Sequence, residues 1–209
     1  DLVARPLIEM ARTVAVVIAG VAGTLLSQAL VFASVTNQAV VRTYDEFGVA
    51  PRELATAIET ARAILSGAAI DLVWHECGRC DDPLGPSELI VRIVRTPPQA
   101  GPGSLGYSLI DVQQRSGSLA TLFANRVESM AATADFDPGV LLGRTIAHEI
   151  AHLLIGTTEH SAHGLMRAQW NTRELQHDLQ PEWVLSRDEG TRMRRGLVAR
   201  AQRSRMPEM

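Results

Sequence analysis

One stretch, residues 137–156, constrains the fold of this chain more than any other, because it reads as a single helix with a signal at each end. Asp137 suits the N-cap, since its carboxylate can accept hydrogen bonds from the free amides of the first turn. Pro138 suits the first helical position, where no backbone donor is needed, and Gly156 suits the stop. The residues between these signals are mostly apolar. We therefore expect the helix to lie inside the protein.

The centre of this helix carries the pattern H-E-x-x-H in residues 148–152. His148 and His152 are four residues apart and project from one face of the helix. Neutral imidazoles bind zinc well, and a catalytic zinc takes three protein ligands and leaves a fourth position for water. Glu149 lies about 100° around the helix from His148, within reach of a water that the metal activates. Burying these groups without a partner is costly, so the pattern predicts a zinc site.

Downstream of the helix come a glycine, a histidine followed by a serine, and a Gly-Leu-Met run. This order resembles the metzincin zinc metallopeptidases, in particular the matrixins, and an uncharacterised group of bacterial secreted proteins. The resemblance implies three zinc ligands, which are His148, His152 and His160. It also implies that Glu149 is the general base and that Met166 is the methionine of the turn beneath the metal. An ordinary core methionine is the other interpretation of Met166.

The spacing departs from that family in one respect. The family has two residues between the second histidine and the glycine and two more before the third histidine, whereas this chain has three and three. The longer loop leaves two other third ligands open. One is His163, and the other is Glu174, which lies 22 residues past His152 where gluzincin-type enzymes carry a glutamate ligand. We expect His160 to be the third ligand, because it is followed by Ser161 and matrixins have a serine directly after their third histidine.

Alternating strands and helices before this helix predict an α/β (α+β) fold. Strands are expected over 39–44, 70–74, 88–94, 105–111 and 118–124, and a helix over 51–65. A strand, a helix and a second strand make a right-handed crossover with parallel strands. The resemblance to metzincins implies a twisted, mostly parallel sheet with residues 105–111 as an antiparallel edge strand above the cleft. An exposed edge can pair with a peptide substrate, although these residues also fit an ordinary hairpin.

The single metallopeptidase domain is expected over residues 37–209. Its upper subdomain, 37–156, includes the active-site helix, and its small, mainly helical lower subdomain, 157–209, holds the methionine turn. A capping box from Ser186 to Glu189 opens a last helix. The arginines of that helix are interpreted as a solvated face.

The first 36 residues are interpreted as upstream residues followed by a signal peptide or a membrane anchor. If translation starts at Met10, Arg12 gives the positive region, 13–26 the apolar region, and the residues around Ala33 a cleavage site. An uncleaved anchor fits because the apolar stretch is just long enough to span a membrane, and a buried core helix is a third interpretation. Signal peptide and anchor both export the domain, so the protein is expected to be secreted or periplasmic. If the segment is an uncleaved anchor, it tethers the domain to the membrane by residues 13–35.

Cys77 and Cys80 are the only cysteines. Two cysteines in an exported protein favour a disulfide. A C-x-x-C pair can also be redox-active or half of a zinc site, with His75 as one further ligand. A cysteine that silences the enzyme by binding the active-site zinc is a further interpretation. The net charge of −3 gives no reason to expect nucleic acid as a partner.

These observations predict an exported zinc metalloendopeptidase, a monomer that uses Zn²⁺ to hydrolyse peptide or protein substrates. Glu149 takes a proton from the activated water and passes it to the leaving amine. The alternative is an exported zinc-binding or adhesion module without hydrolytic activity. A third hypothesis is a core helix that binds no metal. The intact Glu149 argues against the module, since a structural zinc needs no such carboxylate, whereas the longer loop argues for it.

Overall fold

The computed structural model describes residues 37–78, 80–85, 87–178 and 180–203. The signal peptide or anchor predicted over residues 1–36 lies outside this part of the chain. Within the described part, no helix is long and apolar enough to cross a membrane.

The described residues belong to one compact unit and form an α/β fold around a five-stranded sheet. The strands are β1 (Gln38–Asp45), β2 (Asp71–Glu76), β3 (Glu88–Val94), β4 (Gly106–Asp111) and β5 (Ser116–Phe123). The α-helices are α1 (Pro51–Gly67), α2 (Ala124–Ala134), α3 (Pro138–Ile155), α4 (Thr172–His177) and α5 (Arg187–Arg203), and a 3-10 turn spans Gln180–Trp183. The sheet order is β2-β1-β3-β5-β4, in which β4 is antiparallel to β5 and the other pairs are parallel. The mostly parallel sheet and its antiparallel edge strand are therefore confirmed.

The central strands owe their place to alternating apolar residues. In β3, Leu89, Val91 and Ile93 are fully buried while the residues between them are partly exposed. Side chains alternate between the two faces of a strand, so one face of β3 lies on the core. Helix α3 packs on the sheet beside β3, β4 and β5 and also contacts α1, α2 and α5. Helix α3 is thus the element around which the others are assembled.

Both end signals of α3 form as predicted. The side chain of Asp137 accepts a hydrogen bond from the amide of Val140 at 2.9 Å. Gly156 adopts a left-handed conformation with φ of 71°, which glycine tolerates because it has no Cβ. Every residue from Leu141 to Ile155 is buried. A helix that is surrounded on all sides is a core element, so the expected interior position is confirmed.

Helix α2 is the element that the sequence analysis does not predict. The strand expected over 118–124 runs instead from Ser116 to Phe123, and the chain enters α2 directly. No side chain caps the start of α2, so the usual N-terminal signal is missing. Its buried residues nevertheless recur at helical spacing, a signal that was available: Ala124, Val127, Ala131 and Ala134.

The last helix begins at the predicted capping box. The Ser186 hydroxyl accepts from the amide of Glu189 at 3.2 Å, and the Glu189 carboxylate accepts from the amide of Ser186 at 2.7 Å. The interpretation of all its arginines as a solvated face is wrong for Arg200. That guanidinium is buried and donates to the carbonyls of Gly117 and Leu153. Burial lowers its pKa to about 10, and the two carbonyls supply the partners that a buried guanidinium needs.

We expect Gly196→Ala to destabilise the protein, because α5 crosses α3 at this glycine. A methyl group at Gly196 would overlap the backbone carbonyl of Leu154 in α3. Overpacking of this kind costs about 1–3 kcal/mol, and backbone cannot yield as a flexible side chain can. The decrease in the free energy of unfolding is measured by urea denaturation. Gly67→Ala at the end of α1 is the matched control, since a Cβ there meets nothing within 4 Å; equal unfolding midpoints for the two variants would contradict the packing.

Candidate metal centre

Three imidazoles converge at one point above α3. His148 and His152 project from successive turns of the helix, and His160 comes from the loop that follows. The Nε2 atom of His152 lies 3.0 Å from that of His148 and 3.3 Å from that of His160. Zinc–nitrogen bonds of about 2.0–2.1 Å in a tetrahedron place the nitrogens about 3.3 Å apart. The three histidines therefore form a cluster that could hold a metal ion.

The other ring nitrogens of the two helical histidines fix which nitrogen faces the cluster. Nδ1 of His148 lies 2.9 Å from the carbonyl oxygen of Leu165, and Nδ1 of His152 lies 2.8 Å from that of Thr157. A carbonyl oxygen only accepts, so Nδ1 carries the proton and a neutral ring presents a lone pair at Nε2. The Nε2 lone pairs of His148 and His152 then face each other at 3.0 Å and repel. A cation bound to both nitrogens would remove this repulsion. Hydrogen bonds of this type also orient metal ligands.

The protonation states agree with this arrangement. Burial lowers the pKa of His148 to about 3, and the neighbouring imidazoles of His152 and His160 lower it as well, against the opposing effect of the Leu165 carbonyl. Burial also lowers the pKa of His152 and of His160. All three rings are therefore neutral at pH 7, which is the form that binds metal.

The longer loop still places His160 in the cluster with His148 and His152. Ser161, next to His160, donates its amide to the carbonyl of Met166 at 2.8 Å and its hydroxyl to the carboxylate of Glu189 at 2.5 Å. Glu189 is buried and also caps α5. The loop is thus held from two sides, by the turn at Met166 and by the start of the last helix. The sequence analysis interpreted Glu189 only as a cap, because nothing local links it to residue 161.

Glu149 lies in the floor of the same site. Its carboxylate is buried, and Oε2 accepts a hydrogen bond from the Ser108 hydroxyl on β4 at 2.7 Å. Burial raises the pKa of Glu149 to about 7, and the Ser108 hydrogen bond opposes that shift. A carboxyl group with a pKa near neutrality can both accept and release a proton. Ser108 was not identified from the sequence, because its contact with Glu149 depends on how β4 packs against α3.

The turn after the cluster supports His148. The carbonyl of Leu165 accepts from His148 and also from the indole Nε1 of Trp170, at 3.3 Å. The edge of one ring meets the face of the other, with 5.5 Å between the centroids of His148 and Trp170. Trp170 therefore lies beside this turn. Met166 is 2% exposed and belongs to the hydrophobic core.

The cluster opens into a cleft of about 580 Å³. The cleft is lined by the loop before β4, by Gly106, Tyr107 and Ser108 of that strand, and by the segment 167–170. Tyr107 is 45% exposed, and Leu109, two residues further along the strand, is 53% exposed. The floor is α3 with its two histidines and its glutamate. A groove bounded by a free sheet edge suits an extended chain.

Two of the alternative ligands lie outside the cluster. Among the described residues, the group that could hold a metal contains neither His163 nor Glu174. His163 is exposed. Glu174 pairs with Arg167 at 2.9 Å and accepts from the amide of Asn171 at 2.9 Å, so both its oxygens are engaged.

The two cysteines are bonded to each other. Cys77 and Cys80 form a disulfide, as the sequence analysis favours. Neither sulfur is therefore free to bind a metal or to silence the site in this state. The interpretation of the pair as half of a second zinc site with His75 is not supported by the described residues, in which the only candidate metal cluster is the histidine triad.

Comparison with protein-family models and with curated proteins finds no match to this chain. The resemblance to metzincins therefore rests on the sequence motif.

Proposed function

We propose that this chain is an exported, metzincin-type zinc metalloendopeptidase. One observation carries the proposal: three imidazole nitrogens converge on one point beside a buried glutamate, at the floor of an open cleft. A structural zinc site is usually closed by a fourth protein ligand, whereas a catalytic site keeps one position free. The described residues offer three ligands here and no fourth, which favours catalysis.

The donor set favours a transition metal, and we propose that the metal is zinc. Three neutral imidazoles suit zinc, copper, iron or nickel better than magnesium or calcium, which prefer oxygen. Zinc accepts the tetrahedral arrangement that distances of 3.0 and 3.3 Å between the nitrogens allow. When bound, zinc polarises a carbonyl group and lowers the pKa of a water molecule to about 7.

The proton transfers fall to Glu149. Oε2 is held by Ser108, which leaves Oε1 to accept a proton from the attacking water. A buried carboxylate beside the histidine cluster can take up the proton and then donate it to the leaving amine. General acid–base catalysis of this kind contributes a factor of about 10²–10⁴. Ser108 acts through Glu149 and is a positioning residue.

The substrate backbone is placed along β4. This strand pairs with β5 on one side only, and among the described residues no strand pairs with its other edge. The amide and carbonyl of Gly106 bond to the Ser104 hydroxyl, so the edge offered to a peptide lies beyond Gly106. A peptide in extended conformation can add to that edge as a further strand. Gly106 lets the strand approach the floor, since a Cβ there would lie 3.3 Å from Oε1 of Glu149. The peptide would then pass the histidine cluster and bring one of its carbonyl groups close to the metal that the histidines would hold.

A digest of a mixed peptide library tests the function directly. The zinc-loaded chain is expected to cut internal peptide bonds, with new termini detected by mass spectrometry. Treatment with a chelator is expected to abolish cutting, and re-addition of zinc to restore it. Stoichiometric zinc without any cutting would favour instead the exported zinc-binding or adhesion module without hydrolytic activity.

We expect Ser108→Ala to shift the acidic limb of the pH profile for kcat/KM to higher pH. The Ser108 hydrogen bond lowers the pKa of Glu149, so its loss raises that pKa, and the general base must be unprotonated to act. A shift of about one pH unit corresponds to a hydrogen bond to a charged group. Activity therefore falls more below neutral pH than above it. An unshifted limb, or an equal shift in the exposed control Ser129→Ala on α2, would contradict this role.

A further inference from the structure

The third histidine of the cluster has less support from its own ring than the other two. Nδ1 of His148 and Nδ1 of His152 each lie within hydrogen-bond distance of a backbone carbonyl. Among the described residues, no hydrogen bond reaches Nδ1 of His160, and this residue is exposed. Metal-binding histidines are usually oriented by a hydrogen bond at that second nitrogen. The position of His160 therefore depends on the backbone that carries it.

Ser161 is the residue that fixes this backbone. Its amide donates to the carbonyl of Met166 at 2.8 Å, and an isolated backbone bridge pairs it with Arg167. Its hydroxyl donates to Oε1 of Glu189 at 2.5 Å. The first two contacts lie within the turn itself, whereas the third joins residues that are 28 positions apart. The loop of the third histidine is thus tied to the last helix.

Glu189 is itself held firmly at the start of α5. The residue is buried, and its Oε2 accepts from the amide of Ser186 at 2.7 Å. Its own amide donates to the Ser186 hydroxyl at 3.2 Å. One carboxylate oxygen therefore serves the cap of α5 and the other serves the loop. A hydrogen bond to a charged acceptor is stronger than one between neutral groups, which suits this carboxylate to hold the loop.

Helix α5 is in turn packed against α3, the helix that carries the other two histidines. Gly196 of α5 lies directly against the backbone carbonyl of Leu154. Arg200 donates to the carbonyl of Leu153 at 3.0 Å. The packing of α5 therefore sets where Glu189 stands relative to the two helical histidines.

We propose that Glu189 is a positioning residue of the metal centre and that it couples metal binding to the packing of α5. Through Ser161 it holds His160 at the point where the two helical histidines meet. Coupling of this kind is reciprocal, so the packed α5 favours metal binding and a bound metal favours the packed α5. The inference rests on the zinc centre of the proposed function and not on peptide hydrolysis.

The zinc affinity of the folded chain tests the role in positioning. Ser161→Ala removes the tether and is expected to raise the zinc dissociation constant about 10- to 100-fold, the usual effect of losing a group that orients a metal ligand. Glu189→Gln is expected to stay near the parent, because its amide group can accept from the Ser186 amide and donate to the Ser161 hydroxyl. Competition with a chromophoric chelator gives the constants, and circular dichroism shows whether each metal-free variant is folded.

Two controls separate positioning from a general loss of stability. Ser186→Ala removes a cap hydrogen bond of α5 and leaves the bond between Ser161 and Glu189 in place. It should lower the urea midpoint and keep the zinc affinity of the parent. In a chain that already carries His160→Ala, the further change Ser161→Ala should weaken zinc binding no more, because the ligand through which it acts is gone.

Hydrogen exchange tests the reciprocal effect in the unaltered chain. Zinc is expected to slow exchange of the amides in the first turns of α5 more than that of the amides in β2, the strand at the opposite edge of the sheet from β4. In Ser161→Ala this selective slowing should be lost. If Ser161→Ala does not fold, the exchange of the parent and the zinc affinity of Glu189→Gln decide.

The outcomes separate this inference from the proposed function. Equal zinc affinity in Ser161→Ala and the parent, a further loss in the His160→Ala background, or no selective slowing in α5 overturns the coupling, even if the parent binds zinc and cuts peptides. A zinc affinity that depends on the tether through His160 supports the coupling, even if the parent cuts no peptide. A parent that binds no zinc overturns the coupling and the metal centre together.

Discussion

Glu149→Gln is expected to lower peptide hydrolysis by a factor of about 10²–10⁴ while the protein keeps its zinc. The amide of glutamine has nearly the same shape and can still accept from Ser108, but it cannot take up a proton. The carboxylate is not part of the histidine cluster that could hold the metal, so metal affinity should change little. The measurement is kcat/KM on the best peptide of the library, together with zinc content by mass spectrometry.

The neighbouring Thr145 provides the control for that experiment. It is also buried in α3 and lines the cleft, but its hydroxyl bonds to the carbonyl of Leu141 within the helix. Thr145→Val keeps the shape and removes only this bond, so hydrolysis should fall far less than in Glu149→Gln. If the Glu149→Gln chain cuts peptides as fast as the parent, the assigned general base is wrong.

Loss of a clustered histidine is expected to weaken zinc binding more than any other single change. His148→Ala or His160→Ala removes one of the three proposed ligands, so the affinity should fall by more than the 10- to 100-fold that changes around metal ligands typically cause. Competition with a chromophoric chelator measures the dissociation constant of each variant. The same variants should lose peptide hydrolysis at zinc concentrations that saturate the parent.

His163→Ala is the matched control for His160→Ala, because both histidines lie in the same loop and only one joins the cluster. Its zinc affinity should equal that of the parent. Glu174→Gln should also bind zinc normally, since its carboxylate is engaged by Arg167 and Asn171. If His163 were the third ligand, His163→Ala would bind zinc more weakly and His160→Ala would be unchanged. If Glu174 were the third ligand, Glu174→Gln would bind zinc more weakly.

The parts of this molecule that the sequence predicts are those with local causes. Helix α3 carries its own start at Asp137 and its own stop at Gly156, and the two helical histidines share a face because of the helical repeat. The strands are likewise marked by apolar residues between turn signals. The edge position of β4 was expected from the likeness to metzincins and not from any local pattern.

The parts that the sequence does not predict depend on contacts between distant segments. Ser108 meets Glu149 only because an edge strand packs on the helix 41 residues later. Arg200 is buried because α5 packs against β5 and α3, whose carbonyls at Gly117 and Leu153 accept its hydrogen bonds. The arginine-rich sequence of α5 alone therefore predicted the wrong environment for this residue. The choice of His160 over His163 depended on a loop whose length departs from the family pattern.

X-ray absorption spectroscopy at the zinc edge, on the zinc-loaded chain, tests the three-histidine centre most directly. We expect one zinc per chain with four nitrogen or oxygen neighbours at about 2.0–2.1 Å, and the outer-shell scattering of three imidazoles. His160→Ala should reduce that scattering to two imidazoles, while His163→Ala should leave it unchanged. A spectrum with sulfur ligands, with two imidazoles in the parent, or with no bound zinc would contradict the metal centre and the peptidase function that rests on it.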